Sequence, residues 1–304
     1  MNDALSIDPD VRAVLERKGP VVALETTVIS HGLPRPENLE TARGLETTVR
    51  GLGAMPATIG VLGGRIRVGL RETELEHFAN GTGIQKLSSA DLPYAVATAA
   101  DGATTVAATI VCAQMAGIEV VATGGIGGVH RGAETTYDVS ADLTQLAKTP
   151  VTVVCSGAKA ILDLPKTLEM LETLGVTIIT YRSDAFPAFW SRSSGIPSPL
   201  RMDSVDELAR LIRAKRSLGM TSAIVVANPA PEADEIPLAA ITAHIEEATT
   251  EAQTRGISGK ALTPFLLDRI ATLTSGRSLA TNIALLRGNA RLAALLALAL
   301  SEKR

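Results

Sequence analysis

Lys159 follows directly on Ser156-Gly157-Ala158, at the close of the apolar run VTVVC. An amine in such a place can attack a carbonyl-like carbon once it has lost its proton. Read as the opening residue of a helix AKAILDL, it stands at the positive end of the helix dipole, which together with partial burial disfavours the ammonium form. Glu25 ends a second apolar stretch, VVALE. A carboxyl group among such neighbours loses hydration unless it is paired or protonated, so its pKa rises and it becomes a candidate acid. A lysine nucleophile and a proton donor are the pair that imine chemistry requires. Taken singly, each has a plainer reading: a solvated first-turn lysine and a structural ion pair at a sheet end.

Between these two lies TGGIGGVHRGAETTYDVSADL. Asp138 and Asp142 are oxygen ligands unaccompanied by cysteine or clustered histidine, a set that suits Mg²⁺ or Mn²⁺ held partly through water better than Zn²⁺. If the segment is helical the two carboxylates share one face, and a simple helix-terminus charge role is the alternative. Gly124, Gly125, Gly127 and Gly128 follow an apolar strand, but His130 stands where the last glycine of GxGxxG belongs and no GK[ST] is present, which argues against a dinucleotide fold or P-loop. The backbone amides of such a turn could still cradle a phosphate, with His130 and Arg131 as charge-assisted donors. A tight structural loop is the other reading. Lys86 in IQKLSSADLP is a further cation near a strand end, and Asn282 in SLATNIALL carries an amide able to read a base edge or to satisfy a backbone group. His31 follows Glu25 closely enough to line the same mouth.

The elements that must position these groups are legible as short apolar runs, VVALETTV, ATIGVLGG, EVVATGG, VTVVCSG, VTIITYRS and SAIVVANP, alternating with helix-like segments such as ENLETARGLETTVRGLG and DELARLIRAKRSLG. Continuous rather than alternating hydrophobicity implies strands covered on both faces. The expectation is a three-layer α/β/α arrangement around a mixed, largely parallel sheet, with ligands collecting at the carboxyl ends of the strands. No linker divides residues 1–304, so a single domain is expected, mainly helical from about Glu246. With 46% hydrophobic residues the chain can bury a large core. A net charge of −3 and 3% aromatic residues offer neither a basic field nor stacking platforms for a nucleic-acid polymer. Cys112 and Cys155 lie in apolar runs and read as buried thiols of a protein kept in a reducing cytoplasm. The N-terminus lacks a signal-peptide core, and ARLAALLALAL is too short to span a bilayer and reads as a buried C-terminal helix.

Taken together, ALETTVISHGLP, GAMPATIGVLGG, GATTVAATIVCAQMAGI, ATGGIGGVHRGAETTYDVSADL, VTVVCSGAKAILDLP, VVANPAPE, GKALTPFLLDRI and SLATNIALL resemble the pseudouridine-5'-phosphate glycosidase family, also called indigoidine-synthase-A-like. The resemblance covers most of the chain from Val21 to Leu286. It implies reversible cleavage of the C–C bond of pseudouridine 5'-phosphate to uracil and ribose 5-phosphate, with a divalent cation such as Mn²⁺ and a homotrimeric α/β/α sandwich. By that similarity Lys159 is the nucleophile and Glu25 the proton donor. Asp138 holds the metal, Lys86, Ser140, Ala141 and Asp142 contact substrate, and Val106 lines the pocket. His130 and Asn282 serve the phosphate and uracil ends respectively. The chain departs from the family pattern at Ser88-Ser89-Ala90, where basic residues precede Asp-Leu-Pro. Less positive charge there would weaken the hold on a 5'-phosphate, so a synthase or glycosidase for another C-ribosyl compound is the nearest alternative. A non-catalytic ribonucleotide-binding module would have no use for an imine-competent lysine beside an acid, and a sugar kinase would need a phosphate-transfer motif that the chain lacks.

Overall fold

The apolar runs assemble into one eleven-stranded sheet in the computed structural model, which describes residues 4–301. Its strands are β1 (Leu5–Ile7), β2 (Val21–Glu25), β3 (Met55–Leu62), β4 (Arg65–Val68), β5 (Gln85–Leu87), β6 (Gly102–Thr104), β7 (Val120–Ala122), β8 (Thr152–Cys155), β9 (Thr177–Tyr181), β10 (Arg201–Met202) and β11 (Ile224–Ala227). They lie in the order β1-β4-β3-β2-β7-β8-β11-β9-β10, with β6 and then β5 branching from β3. Among the described residues the β3–β4 and β3–β6 pairings are antiparallel and the other strand pairings are parallel. Strands β8 and β11 are buried along their whole length, as parallel strands covered on both faces must be. Helices pack on both sides of the sheet, and the expected α/β class with a mixed, mostly parallel sheet holds.

Register brings the functional ends level. Leu24 pairs with Ala122, and Ala122 with Val154, so β2, β7 and β8 finish side by side and release Glu25, Thr123 and Ser156 at one rim. The helix Val106–Ala116 packs on β2 and β3 and is almost wholly apolar, as a helix buried on nearly every side must be. Its first turn is capped by Thr105, whose hydroxyl accepts from the Ala108 amide, and it ends at Gly117 in a left-handed conformation.

The C-terminal helical part begins at Leu238, directly after Pro237, earlier than the expected Glu246. Its last member, Arg277–Ser301, revises another expectation. The helix starts well before ARLAALLALAL and runs for 25 residues, about 37 Å at 1.5 Å per residue, so by length and composition it could cross a bilayer. In this fold it lies against β2, β7 and β8 and the helices Glu37–Gly51 and Val205–Ser217, with Leu285, Ala290, Ala293 and Leu296 buried. It is a core helix, as the apolar run suggested, and residues 302–304 of the terminal SEKR lie outside the described residues. Cys112 and Cys155 are both free and buried, and burial pushes each thiol up to about 12.

Candidate active site

A cleft of about 320 Å³ opens at the rim where β2, β7 and β8 end. Glu25, Lys86, Val106, His130, Asp138, Ser140, Ala141, Asp142, Lys159 and Asn282 all line it, so the residues singled out from separate stretches converge on one space. Glu25 closes β2. The chain then turns through Thr26, whose hydroxyl donates to the Ile59 carbonyl at 2.8 Å and accepts the Thr104 amide at 2.8 Å, and enters a π-helical turn, Val28–Gly32. These bonds fix the strand end that presents Glu25. Desolvation raises the Glu25 pKa against the opposing charge of Lys159 and a hydrogen bond donated by the Thr123 hydroxyl. The carboxyl is therefore held toward its protonated form beside a cation.

Lys159 departs from expectation in its setting. No helix opens there, because the helix after β8 runs Leu164–Thr173, started by Asp163 as N-cap and Pro165 in its first turn. The dipole argument does not apply. Lys159 instead opens a turn, its carbonyl accepting from the Leu162 amide at 3.0 Å, that is clamped along the glycine run: the Lys159 amide donates to the Ile126 carbonyl at 3.1 Å, the Asp163 amide donates to the Val129 carbonyl at 2.9 Å, and Ile126 bridges Ala158 while His130 bridges Leu162. Its Nζ donates to the Gly125 carbonyl at 2.8 Å. Gly157, just before it, lets the Pro187 backbone pack close against this turn. It adopts φ +79°, and a Cβ there would stand 2.6 Å from the Pro187 carbonyl oxygen, closer than any side chain tolerates.

The glycine run is a packing device more than a phosphate cradle. The Ile126 amide donates to Gly157 and the Gly127 amide to Asp142, so neither is free for an anion. A Cβ on Gly127 would meet Ser140 Oγ at 2.3 Å. Arg131 is exposed and lines a separate depression near Asp163 and Leu164, which removes it from the expected phosphate set. His130 does reach the cleft, its pKa lowered by burial and raised in part by Asp138.

Asp138 and Asp142 do not share a helix face, since Asp138 precedes the Ser140 N-cap and Asp142 lies in the first turn of the helix Ala141–Leu146. Asp142 is buried and accepts the Ala107 amide at 2.8 Å on one oxygen and the Gly127 amide at 2.7 Å on the other. It ties the helix Val106–Ala116 to the glycine turn across the cleft floor. Replacing it by alanine would leave the buried Ala107 N–H and the part-buried Gly127 N–H unpaired, and a loss on the order of 3 kcal/mol is expected. Urea denaturation checks this; an unchanged midpoint for Asp142→Ala would mean that the two amides find other partners.

Asp138 is left as the half-buried carboxylate on the cleft wall. Among the described residues no group of three or more His, Cys, Asp or Glu side chains could cage a metal. A single carboxylate on the wall offers no protein cage of the zinc kind.

Lys86 lies within β5, where desolvation first and Lys159 second lower its pKa, and its Nζ donates to the Lys260 carbonyl at 3.2 Å. Asn282 enters from the long C-terminal helix, with its Oδ1 beside Gly124. Two contributors went unread in the sequence. Lys260 lines the cleft from the segment before the helix Leu262–Leu273. Asn289, one face of the same helix as Asn282, is wholly buried and donates to the Thr123 carbonyl at 2.9 Å while accepting from Asn228 at 3.0 Å. An asparagine in the apolar helix LLRGNARLAALL is the signal that could have found it.

A mostly parallel α/β sheet with a lysine, a carboxyl group whose pKa burial raises and further basic side chains gathered at its carboxyl rim defines an enzyme of the small-molecule kind. The chain belongs to the indigoidine synthase A-like family, whose model matches residues 10–299. It is 60% identical over 293 residues to a pseudouridine-5'-phosphate glycosidase of Solibacter usitatus, covering 96% of this chain and 98% of the relative. A second pseudouridine-5'-phosphate glycosidase, of Methylobacterium nodulans, is 58% identical over 99% of this chain and 89% of its own. Among solved structures, the prealnumycin C-glycosynthase AlnA in complex with ribulose 5-phosphate superposes with a TM-score of 0.91 at 40% identity, covering 99% of this chain and 98% of that one.

Proposed function

We propose that this protein is a pseudouridine-5'-phosphate glycosidase, reversibly cleaving the C–C glycosidic bond to give uracil and ribose 5-phosphate. The observation that carries the reading is the pairing of Lys159 with Glu25, a carboxyl group held toward its protonated form, in one cleft. A C-nucleoside has no heteroatom leaving group for a two-carboxylate glycosidase to protonate. The ribose ring opens as the C1'–O4' bond breaks, O4' taking the bonding pair and a proton from Glu25 while the N1 lone pair of uracil shifts through C6 to form C5=C1'. The Lys159 amine then adds to C1', the C5=C1' pair returning to the uracil ring and the amine's proton passing back to Glu25. Glu25 delivers a proton to C5 of uracil. The C1'–C5 bond then breaks, its electron pair restoring the C5=C6 double bond of uracil while the lysine nitrogen lone pair forms C=N with C1'. Water adds to that imine and returns ribose 5-phosphate and the free amine. Asp142 and the clamped Lys159 backbone keep the reacting atoms in register, and Val106 and Asn282 wall the base.

Asp138 would hold a divalent cation, Mn²⁺ or Mg²⁺, whose charge supports the anionic end of the substrate. Chelation is expected to abolish uracil release and added Mn²⁺ to restore it. Asp138→Ala is expected to weaken Mn²⁺ binding, measured by electron paramagnetic resonance, and binding equal to wild type would remove Asp138 from that role. The reading includes a cytoplasmic homotrimer acting on a small molecule, without a nucleic-acid polymer or membrane as partner; sedimentation of the native protein checks the assembly.

The direct test is chromatographic detection of uracil from pseudouridine 5'-phosphate, and of the nucleotide from uracil and ribose 5-phosphate. Absence of both would overturn the assignment. The likeness to a C-glycosynthase, together with Ser89-Ala90 in place of basic residues, supports a second reading, synthesis or cleavage of another C-riboside. It predicts turnover of unphosphorylated pseudouridine at a rate matching the monophosphate.

A further inference from the structure

The proposed chemistry asks one carboxyl group, Glu25, to give up a proton, take one back and give it up again. Which of its two oxygens does so depends on a residue the mechanism has not used. Thr123 follows β7, the parallel neighbour of β2, and is buried at 2% exposure. Its hydroxyl donates to Glu25 Oε1, and among the described residues no other group hydrogen-bonds to that carboxyl. The hydroxyl is seated independently of Glu25. The Thr123 amide donates to the Val154 carbonyl at 3.0 Å, and the Thr123 carbonyl accepts from Asn289 Nδ2 at 2.9 Å. Asn289 Nδ2 also donates to Ser156 Oγ at 3.1 Å, while its Oδ1 accepts from Asn228 Nδ2 at 3.0 Å. The chain just past β7, β8 and β11 is thus drawn to one buried amide, and Thr123 presents a donor whose place is fixed by its own backbone. A carboxyl group that accepts such a bond on Oε1 carries its proton on Oε2.

We propose that Thr123 is a positioning residue for the acid: its hydroxyl holds Oε1 and leaves Oε2 as the oxygen that exchanges protons with the substrate. The inference rests on the reading of Glu25 as the proton donor. Thr123 itself neither gains nor loses a proton and makes no covalent bond. Its hydrogen bond also favours the charged carboxylate, against the burial that raises the Glu25 pKa; Lys159 and Lys86 act in the same sense as Thr123, and Asp142 in the opposite one. Removing the hydroxyl alone therefore pushes the Glu25 pKa further up.

Thr123→Val, which keeps the shape and loses the hydroxyl, and Thr123→Ser, which keeps the hydroxyl, test it. Thr123→Val is expected to lower kcat for uracil release about tenfold or more while changing KM by less than about twofold. The fall in rate that follows loss of the Glu25 proton should move to higher pH in this variant. Thr123→Ser is expected to recover most of the rate and the wild-type pH profile. Carbon NMR of the Glu25 carboxyl, its resonance identified by its loss in Glu25→Gln, should titrate at higher pH in Thr123→Val than in wild type, a readout that needs no turnover. An unchanged kcat in Thr123→Val would overturn the assignment. So would equal losses in the valine and serine variants, which mark a packing role, and so would a slower valine variant whose Glu25 titrates as in wild type. A wild type that releases no uracil removes the underlying function and this role with it, whereas equal release by wild type and Thr123→Val removes the role of Thr123 alone.

Discussion

Lys159→Ala is expected to reduce uracil release about 10⁴-fold or more, because no other amine can take over the bond to C1'. Lys86, the nearest candidate, is turned to the Lys260 carbonyl. The variant is expected to fold, since what holds the segment in place is backbone bonding to Ile126 and Val129 that the side chain does not make. A second readout separates chemistry from binding. Borohydride added to wild type with ribose 5-phosphate should leave a covalent pentose-phosphate adduct on the peptide containing Lys159, and none on the variant. An adduct on Lys86 instead would move the nucleophile to β5.

Glu25→Gln should lower kcat by about 10²–10⁴ while leaving the cleft's shape intact. Its pH dependence has a definite sign. The folded-state pKa lies above the ordinary glutamate value because burial outweighs the pull of Lys159, so the acid is loaded at low pH and the wild-type rate falls as pH rises through that raised value. In the glutamine variant this limb disappears with the activity. Stability falls with rising pH in the same sense. A carboxyl group with a raised folded pKa contributes fully below its unfolded value, and that contribution is lost as pH climbs through the folded value. Above that pH the wild type carries a poorly solvated charge that Glu25→Gln lacks, so the variant should withstand more denaturant. Urea midpoints of the two proteins across pH check this; parallel curves would mean that Glu25 titrates as it does in the unfolded chain.

Much of the fold was legible because parallel strands buried on both faces write themselves as unbroken apolar runs. Glu25 stood out for the same reason, being the one carboxylate at the end of such a run. The setting of Lys159 was misread because AKAILDL has helical periodicity, while the true start signal, Asp163 followed by Leu164-Pro165, lay four residues on and was the stronger one. The glycine run invited a phosphate reading since sequence cannot tell whether an amide is already engaged; here Asp142 and Gly157 have taken two of them. Lys260 and Asn289 went unread for a different reason. Each reaches the site across a long stretch of chain, and only tertiary packing says which surface their segments land on.

Asn289 has a consequence for how the molecule comes into being. The helix that holds it also carries Asn282, and through the Thr123 and Gly124 carbonyls it steadies the turn whose Gly125 carbonyl receives Lys159. During synthesis, domains acquire structure as the chain emerges, earlier segments first. The reactive amine is therefore made long before the helix that completes its surroundings. A nascent chain exposes a lysine without its acid-lined enclosure, and the cleft closes around it only when Arg277–Ser301 docks on β2, β7 and β8. On the proposed chemistry, the surroundings that let Lys159 form an imine are complete only once Arg277–Ser301 has docked.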